Sequence, residues 1–331
     1  MRGVEQAAAL ASQTEVAPQE TLTNSLEIRN ILCPVDFSEF SNVAFRYATS
    51  LAWHFKARVY LHHTVQIPKE LLLGTMDASV IPGAFQAELT TEKGKLSAMA
   101  ESAGPEKQEI IPLLSEGEPI TNILEIIRAR NIDLVVIGTH GHKGFNRLVL
   151  GSVTEQVIHE AVCPVLVVSR PQRGFLTPSR TEPLPLRIIL LATDFSRSSD
   201  RALTYALRWA SEWGGKVVLF HAVETVPPIT QGRVDIFPEY NPAFEQQIAR
   251  AWENIRKLVP ETAGKTCEVI YEVRHGHPKA EILRVAEEKA ADLIVIGARG
   301  AGPGAHLWGS NSSAVARAGS FPVLVVRQLD A

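Results

Sequence analysis

Glycines, a serine and a basic pair are the residues of this chain whose spacing best suits chemistry. They lie in Gly138-Thr-His-Gly141-His142-Lys143-Gly144-Phe-Asn-Arg-Leu-Val-Leu-Gly151-Ser152. Before this stretch, Ile132-Asp-Leu-Val-Val-Ile137 has the β-branched content of a buried parallel strand. After it, Val153-Thr-Glu-Gln-Val-Ile-His-Glu160 reads as a helix. A glycine-rich loop thus joins a strand to a helix N-terminus. Glycine lets the backbone turn tightly and approach a ligand closely. A helix N-terminus presents unpaired N–H groups at the positive end of a dipole. The chemistry this suits is anion binding, and the usual anion is a phosphate.

Competing signatures fit less well. No Gly-Lys-Ser/Thr stands at the helix start, so the stretch is not a Walker P-loop. Gly300-Ala-Gly302-Pro-Gly304-Ala305 matches G-x-G-x-x-A, but Pro303 interrupts it and no acidic residue follows about twenty positions on to hold a ribose. Arg274-His-Gly-His277 resembles the His-x-Gly-His of nucleotidyl transferases. It stands before the third helix of its half rather than the first, and a loop leading into a helix with Pro278 in its first turn accounts for it better. His62 and His63 adjoin on a strand and face opposite sides, which does not suit a shared metal. His54 and His159 fall on helices and are expected to face solvent or pack locally. Cys33, Cys163 and Cys267 have no motif spacing and sit in or beside apolar runs, as buried thiols of a reducing compartment do. No paired carboxylates, Ser-His-Asp grouping or metal-ligand spacing is present, and Asp36 is a lone acid at a strand end, which makes a weak general base candidate.

The elements that must position the glycine loop can be read in order. The 331 residues leave room for about two domains. The net charge of −3, with the signs interspersed, gives no bulk footprint for nucleic acid. No run approaches a membrane span and the N-terminus lacks a signal-peptide core, so a cytoplasmic location is expected. Residues 1–26 read as a flexible tail. A strand then runs from Arg29 to Val35 and ends at Asp36-Phe-Ser38, with Ser38 as N-cap of a helix whose apolar stripe is Val43, Tyr47, Ala48, Leu51, Ala52 and Phe55. Strands at 58–63, 109–114, 132–137 and 164–168 alternate with helices at 84–102, from Pro119 onward and at 153–160. This alternation implies a parallel α/β sheet.

The Pro-rich segment 170–186 reads as a linker, and after it the same text begins again. Ile189 to Ser196 repeats Ile31 to Ser38 with Asp194 on Asp36, and Pro322-Val-Leu-Val-Val326 repeats Pro164 to Val168, both at an offset of 158 residues. Residues 27–169 and 187–331 are therefore two copies of one domain. Gly300 maps on Gly141 at an offset of 159, but Gly309-Ser310 maps on Gly151-Ser152 at 158, so the second loop is one residue shorter. That loop also lacks the His142-Lys143 pair and carries Pro303 and Trp308.

With these motifs in view, the chain resembles the universal stress protein family in its tandem two-domain form, over residues 28–327. Gly138, Gly141, Gly151 and Ser152 fit the family's nucleotide-loop pattern Gly-x2-Gly-x9-Gly-Ser/Thr, and the Asp-Phe-Ser turn and Pro-Val-Leu-Val-Val strand each match twice. The resemblance implies two Rossmann-like (adenine nucleotide alpha hydrolase-like) α/β domains, each a five-stranded parallel sheet of order 3-2-1-4-5 with helices on both faces. It also implies an ATP site, with or without Mg2+, in the first half. Asp36 would lie by the ribose and adenine. Main-chain groups near Pro34, Val35 and Thr64 would meet the adenine. Gly138 and Gly141 would pass close to ribose and phosphates, and Gly151, Ser152, Val153 and Thr154 would donate to the phosphates. His142 and Lys143 would add charge, unless they belong to a solvated loop. Asp194, Ala222, Gly297, Gly300, Gly309 and Ser310 match in the second half, where the shortened loop points to a degenerate site.

These features lead to a non-enzymatic, nucleotide-dependent binding protein of the stress response, without nucleic-acid or membrane partners. A slow ATPase or phosphotransferase using the same crevice, and a scaffold that binds no nucleotide, remain as alternatives, because binding donors and transition-state donors look alike in a sequence. The family's single-domain members resemble dimers joined through their last strands, so the two halves are expected to pair internally as a pseudo-dimer. Nothing in the sequence decides whether a homodimer forms as well.

Overall fold

Apolar runs too short to be helices must be buried on both faces, and that need organises the molecule. In the computed structural model, residues 27–67, 81–104, 109–139, 150–169, 186–224, 229–230, 233–234, 242–259, 267–298, 310–318 and 321–327 are described. The expectations for 1–26, for the linker up to residue 185, and for Gly141, His142, Lys143, Gly300 and Gly309 fall outside these residues.

The first half runs β1 (Asn30–Pro34), α1 (Glu39–Phe55), β2 (Arg58–Val65), α2 (Ile81–Glu101), β3 (Ile110–Glu116), α3 (Pro119–Ala129), β4 (Leu134–Gly138), α4 (Ser152–Glu160) and β5 (Val165–Val168). The second runs β6 (Ile188–Ala192), α5 (Arg197–Glu212), β7 (Lys216–Val223), a short antiparallel ribbon of β8 (Ile229–Thr230) and β9 (Arg233–Val234), α6 (Pro242–Lys257), β10 (Glu268–His275), α7 (Pro278–Glu288), β11 (Leu293–Gly297), α8 (Ser310–Ala318) and β12 (Val323–Val326). β2 and β3 each end two residues later than the sequence suggests. Pairing of Thr64 with Ser115 and of Val65 with Glu116 extends both strands past the end of the apolar runs.

All strands but the ribbon form one ten-stranded sheet, ordered β10-β7-β6-β11-β12-β5-β4-β1-β2-β3. Each half therefore has the order 3-2-1-4-5, parallel throughout. Strand residues alternate between two cores. Ile31, Cys33 and Val136 pack with α1, α2, α5 and α6 on one face, whereas Leu32, Val135 and Ile137 pack with α3, α4, α7 and α8 on the other.

The halves meet where β5 and β12 pair antiparallel, with Leu166 opposite its own repeat equivalent Leu324. A pseudo-twofold axis passes between these leucines, and each last strand covers the edge that the other would expose. The same axis sets Phe55 against its equivalent Trp213, with ring centroids 5.3 Å apart. His54, expected to face solvent or pack locally, stacks on Trp213 at 3.9 Å and lies 3.8 Å from Glu212. On the opposite face Arg317 of α8 bonds Glu155 of α4 at 2.8 Å.

Candidate functional site

In each half the chain leaves the first strand toward one face and the fourth strand toward the other. This is a topological switch point, where open α/β sheets form a crevice at the carboxyl ends of their strands. Continuing the register of Ile31 on Leu134 and of Pro34 on His62 sets Asp36 between Thr139 and Thr64. Continuing the register in the second half sets Asp194 between Ala298 and Ala222. The corresponding positions thus bear hydroxyls in one crevice and methyls in the other.

The turn after β1 is built tightly. The Ser38 N–H donates to Asp36 Oδ1 at 3.1 Å, and Ser38 Oγ caps α1 by accepting from Ser41 N–H at 3.2 Å, as the sequence predicts. Between them Phe37 has φ 61°, a left-handed conformation that costs a bulky residue about 1–2 kcal/mol. Pro34 and Val35 are buried below the turn. The Val35 N–H donates to the His62 carbonyl at 2.8 Å, and His63 Nδ1 donates to the Val35 carbonyl at 2.7 Å. The Val35 N–H is thereby committed to the sheet. The Thr64 peptide is oriented differently. Strand parity gives it the direction of Arg58 and His62, whose main-chain groups bond β1 or the residues flanking it, and β1 has ended before its level.

On the phosphate side, α4 begins with Gly151 as its N-cap, without a side-chain cap bond. Gly151 therefore offers no side chain to cap the first-turn N–H groups. The Gly151 N–H bonds the Thr139 carbonyl at 2.8 Å, which ties the helix start to the end of β4, and Ser152 is exposed. The hydroxyl of Thr154, a residue expected among the phosphate donors, is engaged within the protein. It is buried and donates to the Gly138 carbonyl at 2.7 Å. A helix periodicity of 3.6 turns Thr154 inward while Ser152 faces out. Gly138 has a packing reason to be glycine. A Cβ there would come within 3.0 Å of the Phe40 backbone, in the first turn of α1.

The second half repeats the frame. Ser312 Oγ donates to the Gly297 carbonyl at 2.7 Å, and a Cβ on Gly297 would meet Ser198 Oγ at 2.6 Å. Asp194 Oδ1 accepts from the Ser196 N–H at 3.1 Å and from Ser196 Oγ at 2.6 Å. Ser310 opens α8.

The profile of the Universal stress protein family matches this chain twice, over residues 27–169 and 185–327. The chain belongs to the universal stress protein family. A universal stress protein of Mycolicibacterium smegmatis is 29% identical over 311 residues, 90% of this chain and 96% of that protein. Universal stress protein MJ0531 of Methanocaldococcus jannaschii is 35% identical over 152 residues, 44% of this chain and 84% of the relative. The crystal structure of a universal stress protein from Archaeoglobus fulgidus superposes with a TM-score of 0.64 at 23% identity, covering 92% of this chain and 98% of that one, and so shares its fold.

In this universal stress protein the remaining motifs have structural partners. Arg274 is bonded to Glu288 at 2.7 Å and to Glu272 at 2.9 Å, and Gly276 has φ 140°, so the Arg274–His277 stretch is an ion-paired turn into α7. All three cysteines are buried, and burial pushes the Cys163 thiol up to about 12. Among the described residues no group of three or more metal-ligating side chains occurs, and no helix is long and apolar enough to cross a membrane. The sequence showed that the two β2 histidines, His62 and His63, do not suit a shared metal but not which groups each one bonds. His62 is 1% exposed, with its Nε2 3.2 Å from Ser115 Oγ and 3.3 Å from Thr64 Oγ1, and burial lowers its pKa to about 4. His63 touches the turn that carries Asp36. One signal for His63 was available, since His221 stands at the same place in the second half.

Proposed function

We propose that this universal stress protein binds an adenine nucleotide, ATP with or without Mg2+, in its first-half crevice, and that the second half carries a degenerate form of that site. The reading divides the chain into domains at 27–169 and 187–331, joined by the segment 170–186. The observation that carries it is the start of α4 at the switch point, with Gly151, which has no side chain, as N-cap and Ser152 exposed beside the end of β4. A phosphate there would accept from the first-turn N–H groups and gain from the helix dipole. Asp36 suits a sugar, since a carboxylate accepts from hydroxyls, and the Thr64 peptide presents one donor and one acceptor to a base edge. Gly141 and His142 would complete the phosphate side from the loop. The second half has Ala222 and Ala298 beside Asp194 and a shorter loop without the basic pair, which supports weaker binding there.

Binding rather than turnover suits these residues. The Thr154 hydroxyl is spent on Gly138, and Asp36 already accepts from the Ser38 N–H. ATP would act as a conformational ligand, favouring whichever state it binds better. Isothermal titration of ATP, with and without Mg2+, into protein freed of carried-over nucleotide tests this, with Gly151→Asp as the control. One site, lost in the variant, supports the reading, whereas two sites would show a competent second half. Absence of binding would remove the ATP reading and favour the scaffold, and phosphate release above background would favour the slow ATPase.

A further inference from the structure

We infer that His63 is a positioning residue for the ligand of the first-half crevice. Its Nδ1–H holds the Val35 carbonyl, ends the β1–β2 ladder at that rung, and leaves the Thr64 peptide to face the ligand. This deepens the nucleotide reading, on which it rests, by naming a residue to which that reading gives no role.

The rungs of the ladder define the geometry. Arg58 N–H bonds the Arg29 carbonyl and Val35 N–H bonds the His62 carbonyl, each at 2.8 Å. Even-numbered residues of β2 thus turn their main-chain groups toward β1. Odd-numbered ones turn toward β3, as in Val59 N–H to the Glu109 carbonyl and Gly117 N–H to the Val65 carbonyl, both 2.9 Å. The next rung of a regular parallel ladder would run from Thr64 N–H to the Val35 carbonyl. That carbonyl instead receives His63 Nδ1 at 2.7 Å. A carbonyl only accepts, so Nδ1 must carry the hydrogen, and the chemistry of the pair decides which ring nitrogen is protonated there.

The ring is held on its other sides. The Phe37 ring lies 4.6 Å from it, so the imidazole supports the residue forced to φ 61°. Its Nε2 is 3.8 Å from Glu92 of α2, and Lys95 bonds the same carboxylate at 2.8 Å. His63 therefore joins β2, α2 and the turn that carries Asp36.

The device occurs twice. In the second half Thr193 N–H bonds the Phe220 carbonyl at 2.9 Å, the Thr193 carbonyl receives His221 Nδ1 at 2.8 Å, and Phe195, also at φ 61°, lies 4.4 Å from the ring. The neighbours differ, with Phe220 for His62, Ala222 for Thr64 and Thr193 for Val35, while the imidazole is the same. The second copy supplies an internal control, because it makes the same carbonyl and ring contacts in the half expected to bind nucleotide poorly.

The test is titration of Mg-ATP into the full chain carrying His63→Asn, His63→Gln or His221→Gln, with the melting temperature of each. An Asn amide can occupy the place of Nδ1, whereas a Gln amide reaches toward that of Nε2. The expected result is that His63→Gln weakens binding about tenfold or more, His63→Asn restores it to within about threefold of the wild type, and His221→Gln lowers the melting temperature comparably but leaves affinity unchanged. The inference is overturned if His63→Gln binds like the wild type, if Asn fails to rescue, or if His221→Gln weakens binding equally. Should His63→Gln not fold, His63→Asn decides alone, since retained affinity supports the inference and a tenfold loss at unchanged melting temperature overturns it. A wild type that binds no nucleotide brings down both the function and the inference. A binding wild type indifferent to His63→Gln brings down the inference only.

Discussion

Thr154 Oγ1 donates to the Gly138 carbonyl at 2.7 Å, closing the start of α4 onto the end of β4. Ser312 and Gly297 make the same bond at 2.7 Å in the second half. The hydroxyl is thus a clamp across the glycine loop, and its loss would leave a buried carbonyl without its partner. Thr154→Val is expected to cost about 1–3 kcal/mol and Thr154→Ser much less. Urea denaturation of the two variants checks this, and equal midpoints would return the hydroxyl to the ligand.

Gly138 and Gly297 are expected to tolerate alanine poorly because the fourth strand of each half passes against the first turn of a helix. A Cβ on Gly138 would stand 3.0 Å from the Phe40 carbonyl carbon, and one on Gly297 2.9 Å from both the Ser198 carbonyl carbon and the Ser199 nitrogen. Overpacking of this kind costs about 1–3 kcal/mol, with Gly297→Ala the worse of the two. Thermal unfolding would show it, and two unshifted melting temperatures would mean that the helices slide away freely.

Gly151→Asp separates stability from binding. An aspartate at the N-cap accepts from the first-turn N–H groups and favours the helix by a few tenths of a kcal/mol over glycine, roughly. The same carboxylate occupies and repels the place of a phosphate. Nucleotide affinity is expected to fall about tenfold or more while the melting temperature holds or rises. Unchanged affinity would place the anion elsewhere.

His62 should make the protein sensitive to mild acid. Burial lowers its pKa from 6.5 to about 4, so between these values the unfolded chain binds the proton and the folded one does not. Stability therefore rises with pH across that window and is lost as pH falls through it, by up to about 3 kcal/mol. Denaturation midpoints measured from pH 7 to pH 4 should fall less steeply in His62→Phe, which copies Phe220 of the other half.

Arg274 should matter at lower pH. Its guanidinium, with help from Arg284, holds Glu288 down to about 2 against an ordinary 4.5. A depressed folded pKa stabilises above pH 4.5, and that contribution disappears as pH falls toward 2. Melting curves of Arg274→Met against the wild type should converge over this interval, and a constant gap would assign Arg274 a packing role alone.

Much of this universal stress protein follows from its amino-acid sequence. Apolar runs such as Leu134–Ile137, alternating with helical stripes such as Val43–Phe55, require a parallel sheet covered on both faces, and the 158-residue repeat requires two such units. Ser38 as a cap and Pro119 in a first turn were equally legible, because capping is a local matter. Tertiary structure alone decided where polar groups spend their hydrogen bonds. The family resemblance marked Thr154 as a donor, and packing of α4 on β4 aimed its hydroxyl at Gly138. The adjacency of two histidines on a strand did not show that His63 would hold the Val35 carbonyl, 28 residues away, or that His62 would be buried. Nor did local pattern show Leu166 meeting Leu324, or Phe55 meeting Trp213. Periodicity reports which face of an element is buried. The partner on that face is set by contacts between distant parts of the chain, which form only when the whole sheet is assembled.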